Sequence, residues 1–295
     1  MNTEDFANKM NALFPQMTND NALGSTSGEL WRAVSEKYAD GVKKILAPIM
    51  PQILDVQTDL QVRNPDACPV VQVEVIESMG DAMIDGENWN KSDIKNKYVD
   101  VKLHRISRPF KLTAYDIMKG ERVESKVKSA METVAQGVFG LFVNAISSAK
   151  NDAPDTYSAS TFSPEKCVEL GTETTNGANT VILCPALYSK IVPTNGLGLD
   201  PKTEGVYGID HIYKAEMADV ATVAFERDGV AGAGATPESL LTNNGQGAQF
   251  LGEIAGVPMI LISSFDYDTQ TVKCSVETLA GFAVTDANKV YSSSK

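Results

Sequence analysis

Histidine is nearly missing from this chain of 295 residues, with His104 and His211 its only two. That argues against a multi-histidine metal site. The four cysteines (Cys68, Cys167, Cys184 and Cys274) are widely spaced and form no CxxC pair. They read as reduced structural thiols. GxSxG, HExxH and Walker-type signatures do not occur. Gly232-Ala233-Gly234 holds part of a dinucleotide fingerprint but no strand–GxGxxG–helix unit, so a flexible loop is expected there. His104 falls on the polar face of a predicted strand, and His211 follows Asp210 where neighbouring side chains point apart, so neither is a persuasive base. Asp266 and Asp268 flank Tyr267 as turn residues. No apolar run approaches the roughly 20 residues of a membrane span, and no membrane contact is expected. Asn90-Lys91-Ser92 matches a glycosylation sequon, but no signal peptide precedes it, so it is expected to be inert. The expectation is a chain without catalytic residues, cofactor or metal.

What the chain has is charge and a substantial apolar fraction. The formal charge is −12, with Asp and Glu spread along the sequence. Such a surface disfavours tight duplex binding, which needs cations on phosphates. The apolar fraction of 43% supports a sizeable core.

The most informative pattern is an ordered pair of elements. Val71, Val73 and Val75 alternate with Gln72 and Glu74. Val99, Val101 and Leu103 alternate with Asp100, Lys102 and His104. This is the period of two strands. Between them lies a polar tip, Met79 to Lys97, carrying Gly80, Gly86, Asn88, Trp89 and Lys91. A two-stranded ribbon does not bury its own apolar face, so the excursion from Val70 to His104 is expected to lie on a partner subunit. Met83, Ile84, Trp89, Lys91 and Ile94 of the tip are the candidate intersubunit contacts. Trp89 has two readings of equal weight: an anchor in a partner's pocket, or a ring covered locally by the tip.

After a compact connector through Phe110, Leu112, Tyr115 and Ile117, a long amphipathic helix is predicted from Glu121 to Ala149. Its apolar face runs from Val123, Val127 and Met131 to Val138, Phe142 and Ile146. Gly137 and Gly140 mark a close backbone approach, a bend or a break. Ahead of the excursion stand an Asn-rich arm, a helix carrying Leu30, Trp31, Val34, Tyr38 and Val42 that ends near Pro48, and a strand over Ile53 to Val62. The second half reads as mixed α/β. Helices start at Ser163-Pro164 and Pro185, and strands fall at 180–184, 221–225, 258–262, 271–276 and 281–284. A Gly- and Asn-rich loop covers 194–207, and 229–235 is too glycine-rich for regular structure.

This order of elements resembles the major capsid proteins of tailed bacteriophages, which share the HK97-like fold. The phrase from Gly252 to Leu261, with Pro258 leading into an apolar strand, is similar to a late segment of those proteins. The resemblance implies an α+β chain divided into an N-terminal arm and helix (1–69), an extended loop or E-loop (70–104), a peripheral domain (105–178) with a spine helix at 121–149, an axial domain (179–263) and C-terminal strands (264–295). It implies a structural subunit that self-assembles, through hexamers and pentamers, into an icosahedral shell enclosing double-stranded DNA without sequence-specific binding. Expected partners are further copies, a separate scaffolding protein (the arm being short), and portal and decoration proteins. The virion, and the host cytoplasm during assembly, are the expected locations. Family members that cross-link use a Lys and an Asn. Lys91, Lys95 and Lys97 lie in the right loop, but the partner Asn is not identified. Two alternatives stand beside this reading: an encapsulin-type nanocompartment shell with the same fold, and a soluble α/β enzyme, which needs a convergent polar site.

Overall fold

The computed structural model describes residues 26–50, 53–57, 70–78, 95–150, 152, 157–192, 208–235, 247–266 and 268–295. Five helices are named here: α1 (Thr26–Leu46), α2 (Ala114–Met118), α3 (Gly120–Ala149), α4 (Pro164–Gly171) and α5 (Pro185–Ile191). The strands are β1 (Ile53–Gln57), β2 (Val70–Ser78), β3 (Lys95–Lys102), β4 (His104–Leu112), β5 (Thr180–Leu183), β6 (His211–Lys214), β7 (Val220–Phe225), β8 (Val230–Ala235), β9 (Gly247–Ile254), β10 (Val257–Asp266), β11 (Thr271–Val284) and β12 (Val290–Ser294).

Helix α3 organises the molecule. Its 30 residues span about 45 Å at 1.5 Å per residue. Val123, Val127, Met131, Val134, Val138, Phe142 and Ile146 form one stripe, and all are buried. The helix does not break at its glycines. A Cβ on Gly137 would come within 2.7 Å of Ile106 Cγ2, so this glycine admits a close approach of β4. Gly140 faces open space, and nothing in the structure requires it.

Two sheets meet on α3. The larger runs β1-β8-β11-β10-β9, with β4 also paired to β11. The smaller runs β12-β7-β5-β6. Phe142 joins them: its ring meets Phe225 of β7 at 5.2 Å and Phe282 of β11 at 5.4 Å, both edge-on. Helix α1 packs on α3 and β9, where Ser35 Oγ donates to the Leu251 carbonyl. A second core fills the other face of the smaller sheet, where Val181, Leu183 and Tyr291 meet Leu170 of α4 and Leu187 of α5. Ser163 caps α4, accepting from the Lys166 N–H, and Pro sits in the first turn of both α4 and α5.

Three expectations need correction. Residues 230–235 form β8, a fully buried strand between β1 and β11, and not a loop. Its glycines are what let it sit there: a Cβ on Gly234 would reach within 3.3 Å of the Gly256 carbonyl and Pro258 Cδ. Second, the connector after the excursion is largely the nine-residue strand β4. Arg108 and Pro109 interrupt its alternation, and Pro109 is tolerated at a sheet edge. Third, 271–276 and 281–284 are parts of one 14-residue strand, β11, which pairs with β4, β8 and β10. Strands β6, β9 and β12 carry no clear period and were not expected. The predicted strand at 53–62 is described only over Ile53–Gln57. The loop at 194–207 lies outside the described residues.

Candidate assembly surfaces

The excursion is a true antiparallel ribbon. Val71 pairs with Val101 and Val73 with Val99. Its inward face holds Val71, Val73, Val101 and Leu103, exposed by 6% at most. These side chains pack on Ala231, Ala233 and Ala235 of β8 and Leu279 of β11. The chain's own larger sheet therefore covers the apolar face of the ribbon's base, and the argument that this face requires a partner does not hold. The small side chains of β8 supply the flat floor on which it lies. At Gly281 a Cβ would fall 2.2 Å from the Lys102 carbonyl oxygen, so β11 meets the ribbon backbone directly. The outward face is mixed: Gln72 donates to Asp100 at 3.1 Å, while Val70 is 56% exposed and Tyr98 62%. The proposed contacts Met83, Ile84, Trp89, Lys91 and Ile94 lie outside the described residues.

Next along the chain, β4 runs antiparallel beside β11, from Leu112 opposite Val272 to His104 opposite Ala280. Arg105 of β4 forms a fork on Glu277, with Nε donating to Oε2 at 2.7 Å and Nη2 to Oε1 at 2.9 Å. The Glu277 side chain is 5% exposed and that of Arg105 38%. Beyond β4 the chain turns through α2 into α3. Asp116 is buried there and completes a capping box with Thr113. Burial alone would push its carboxyl up. Hydrogen bonds from Lys126 Nζ at 2.8 Å and from Thr113 outweigh this and hold it at about 2.

His104, Asp210, His211, Asp266 and Asp268 do not converge on one site. His104 and His211 are exposed. Asp210 accepts from Asn179 Nδ2, Asp266 pairs with Lys273 at 2.7 Å, and the Asp268 N–H donates to Asp266. Among the described residues no three His, Cys, Asp or Glu side chains gather as a metal site. Cys167, Cys184 and Cys274 are buried free thiols; burial pushes Cys167 up to about 11 and Cys274 up to about 12. A cavity of about 460 Å³ beside α5 is walled by Tyr157, Pro185, Leu187 and Ala221, with a Glu216–Lys295 ion pair at 3.2 Å among its lining residues. Among the described residues no helix is long and apolar enough to cross a membrane.

A long helix carrying two sheets, with a two-stranded ribbon laid across one of them, is the HK97-like capsid fold. Among solved structures, a virus-like particle from Pyrococcus furiosus matches at a TM-score of 0.50 and 13% identity, over 87% of this chain and 97% of that one. The capsid of an empty GTA particle matches at 0.46 and 11%, over 84% and 96%. The capsid of Myoviridae phage XM1 matches at 0.44 and 11%, over 84% and 91%. No family model matches the sequence, and no curated protein does.

Proposed function

We propose that this chain is the major capsid protein of a tailed phage, a structural subunit of the icosahedral head that encloses double-stranded DNA. The observation that carries the reading is the fold: it aligns with the virus-like particle subunit along 97% of that chain's length. Long helices and ribbons of this kind let one subunit repeat the same contacts in a closed shell. The acidic balance of −12 suits a wall that packaged DNA slides past without sticking. Hexamers and pentamers of this chain, a separate scaffolding protein, and portal and decoration proteins complete the proposal, with the virion as destination and the host cytoplasm as assembly site. The division into arm, extended loop, peripheral domain, axial domain and returning strands belongs to it as well.

The likeness to a virus-like particle from Pyrococcus furiosus is equally compatible with a second reading, an encapsulin-type compartment with the same fold. Negative-stain microscopy of the expressed chain tests both, since each requires capsomers or hollow polyhedral shells. Nuclease-protected DNA inside particles from the native source supports the phage reading, and a protein cargo supports the other. A subunit that stays monomeric at high concentration, alone and with its scaffolding partner, removes both.

A further inference from the structure

One stretch runs against the acidity of the rest. Residues 104–128 hold seven cations (Arg105, Arg108, Lys111, Lys119, Arg122, Lys126 and Lys128) against Asp116, Glu121 and Glu124, a balance of +4. The remaining residues therefore carry −16. The fold gathers part of this stretch into a corner where β4 ends, α2 turns and α3 begins. Lys126 Nζ donates to the Lys111 carbonyl at 2.8 Å and to Asp116 at 2.8 Å. Arg122 reaches Asp116 at 3.9 Å and lies over the Tyr115 ring, 4.7 Å from its centroid. Lys119 lies over the same ring at 5.7 Å. Tyr115 is 51% exposed and Met118 44%. A single buried carboxylate thus serves Arg122 and Lys126, while Lys111 and Lys119 also stand exposed. Glu121 is the other acid of the corner, and Glu124 is already held by Lys37 and Tyr38.

We propose that this corner, formed by Lys111, Tyr115, Met118, Lys119 and Arg122, is a docking face for the acidic surface of a second copy of the chain. The inference rests on the shell reading and names one contact within it. Charge complementarity supplies the attraction: Arg105 is engaged by Glu277 and Lys128 by Glu132, which leaves Lys111, Lys119, Arg122 and Lys126 against Asp116 and Glu121 at the corner, a local balance of +2 that draws the acidic surface of another copy towards this face and orients the encounter. The residue types fit as well. Tyr, Met and Arg are enriched at protein interfaces, and a ring already stacked under two cations is ordered before it meets a partner. Nucleic acid fits less well, because phosphate binding needs an extended track of cations, and the strong negative balance of the chain repels it.

The test uses the full-length chain and sedimentation velocity from about 0.1 M to about 1 M salt. The wild type should form capsomers or shells and lose association as salt rises. Lys119→Glu with Arg122→Glu should fold, since acids at a helix N-terminus favour its dipole. It should need at least about tenfold more protein to associate, with little remaining salt dependence. Tyr115→Ala with Met118→Ala should also weaken association while leaving its salt dependence intact, and this pair decides the matter if the charge variant does not fold. Association of the folded variants at the wild-type concentration, with wild-type salt dependence, overturns the docking face and leaves the shell reading standing. A wild type that never associates overturns the shell reading, and this inference with it. Binding of a single-stranded oligonucleotide that the charge variant loses, with assembly unchanged, assigns the corner to nucleic acid instead.

Discussion

The Arg105–Glu277 fork predicts an asymmetry that simple counting of ion pairs does not. Glu277 is 5% exposed, whereas Arg105 keeps 38% of its side chain in water. Arg105→Met leaves a buried carboxylate without its two donors at 2.7 and 2.9 Å. Breaking a fully buried pair in this way costs about 3–5 kcal/mol. The partial exposure of Arg105 shows that water reaches its side of the fork, so about 3 kcal/mol is the expected loss. Glu277→Gln is milder. The guanidinium can turn to solvent, and the amide oxygen still accepts one bond, so about 1 kcal/mol is expected. Replacing both, Arg105→Met with Glu277→Leu, removes the unpaired charge altogether and should return stability to within about 1 kcal/mol of wild type. Thermal unfolding followed by circular dichroism reads this directly. At this size 1 kcal/mol moves the midpoint by roughly 2 °C, so the arginine variant should melt about 6 °C early and the double variant near wild type. Equal losses for the two single variants, or a double variant that sums them, would refute the argument from burial.

Four further outcomes are expected. Gly140→Ala should stabilise by about 0.5–1 kcal/mol, because helix propensity improves in open space, while Gly137→Ala should destabilise against Ile106; equal melting shifts would show that β4 does not crowd the helix. Val134→Asp buries an unpaired charge in the 1%-exposed stripe of α3 and should cost several kcal/mol, read as lost soluble yield. Asp116→Asn should cost about 2 kcal/mol at neutral pH: the folded carboxyl is held at about 2 against 3.8 unfolded, so its contribution is full above 3.8 and disappears as pH falls through 2. Urea titrations of the two proteins should accordingly converge in acid and stay apart at neutral pH. Replacing 79–94 by Asn-Gly should leave the far-ultraviolet spectrum unchanged but abolish sedimenting assemblies, with Trp89→Ala milder; normal shells without the tip would remove it as a clasp.

Much of the skeleton is legible in the amino-acid sequence. The stripe from Val123 to Ile146 calls for one long amphipathic helix, and the alternation at 71–75 and 99–103 calls for a ribbon. Ser163-Pro164 calls for the start of α4. In each case the signal is local: a period, a cap or a proline acts within a few residues.

Other features depend on residues far apart in the chain. Val-Ala-Gly-Ala-Gly-Ala reads as a loop by propensity, yet it is a central strand. Only the ribbon above it, β1 and β11 at its sides and Pro258 beside it make small side chains the ones that fit. Whether the ribbon's valines seek a partner or their own sheet is likewise decided by β8 and β11, more than a hundred residues downstream. The cations of 104–128 were present in the sequence, but a run of charges has no direction. Lys111, Lys119, Arg122 and Lys126 share a face because β4 is pinned to β11 by register and α3 folds back across it, bringing Lys126 onto the carbonyl of Lys111. Periodicity determined which elements form; long-range pairing decided what each of them covers, because burial is a property of neighbours that the chain brings together only on folding.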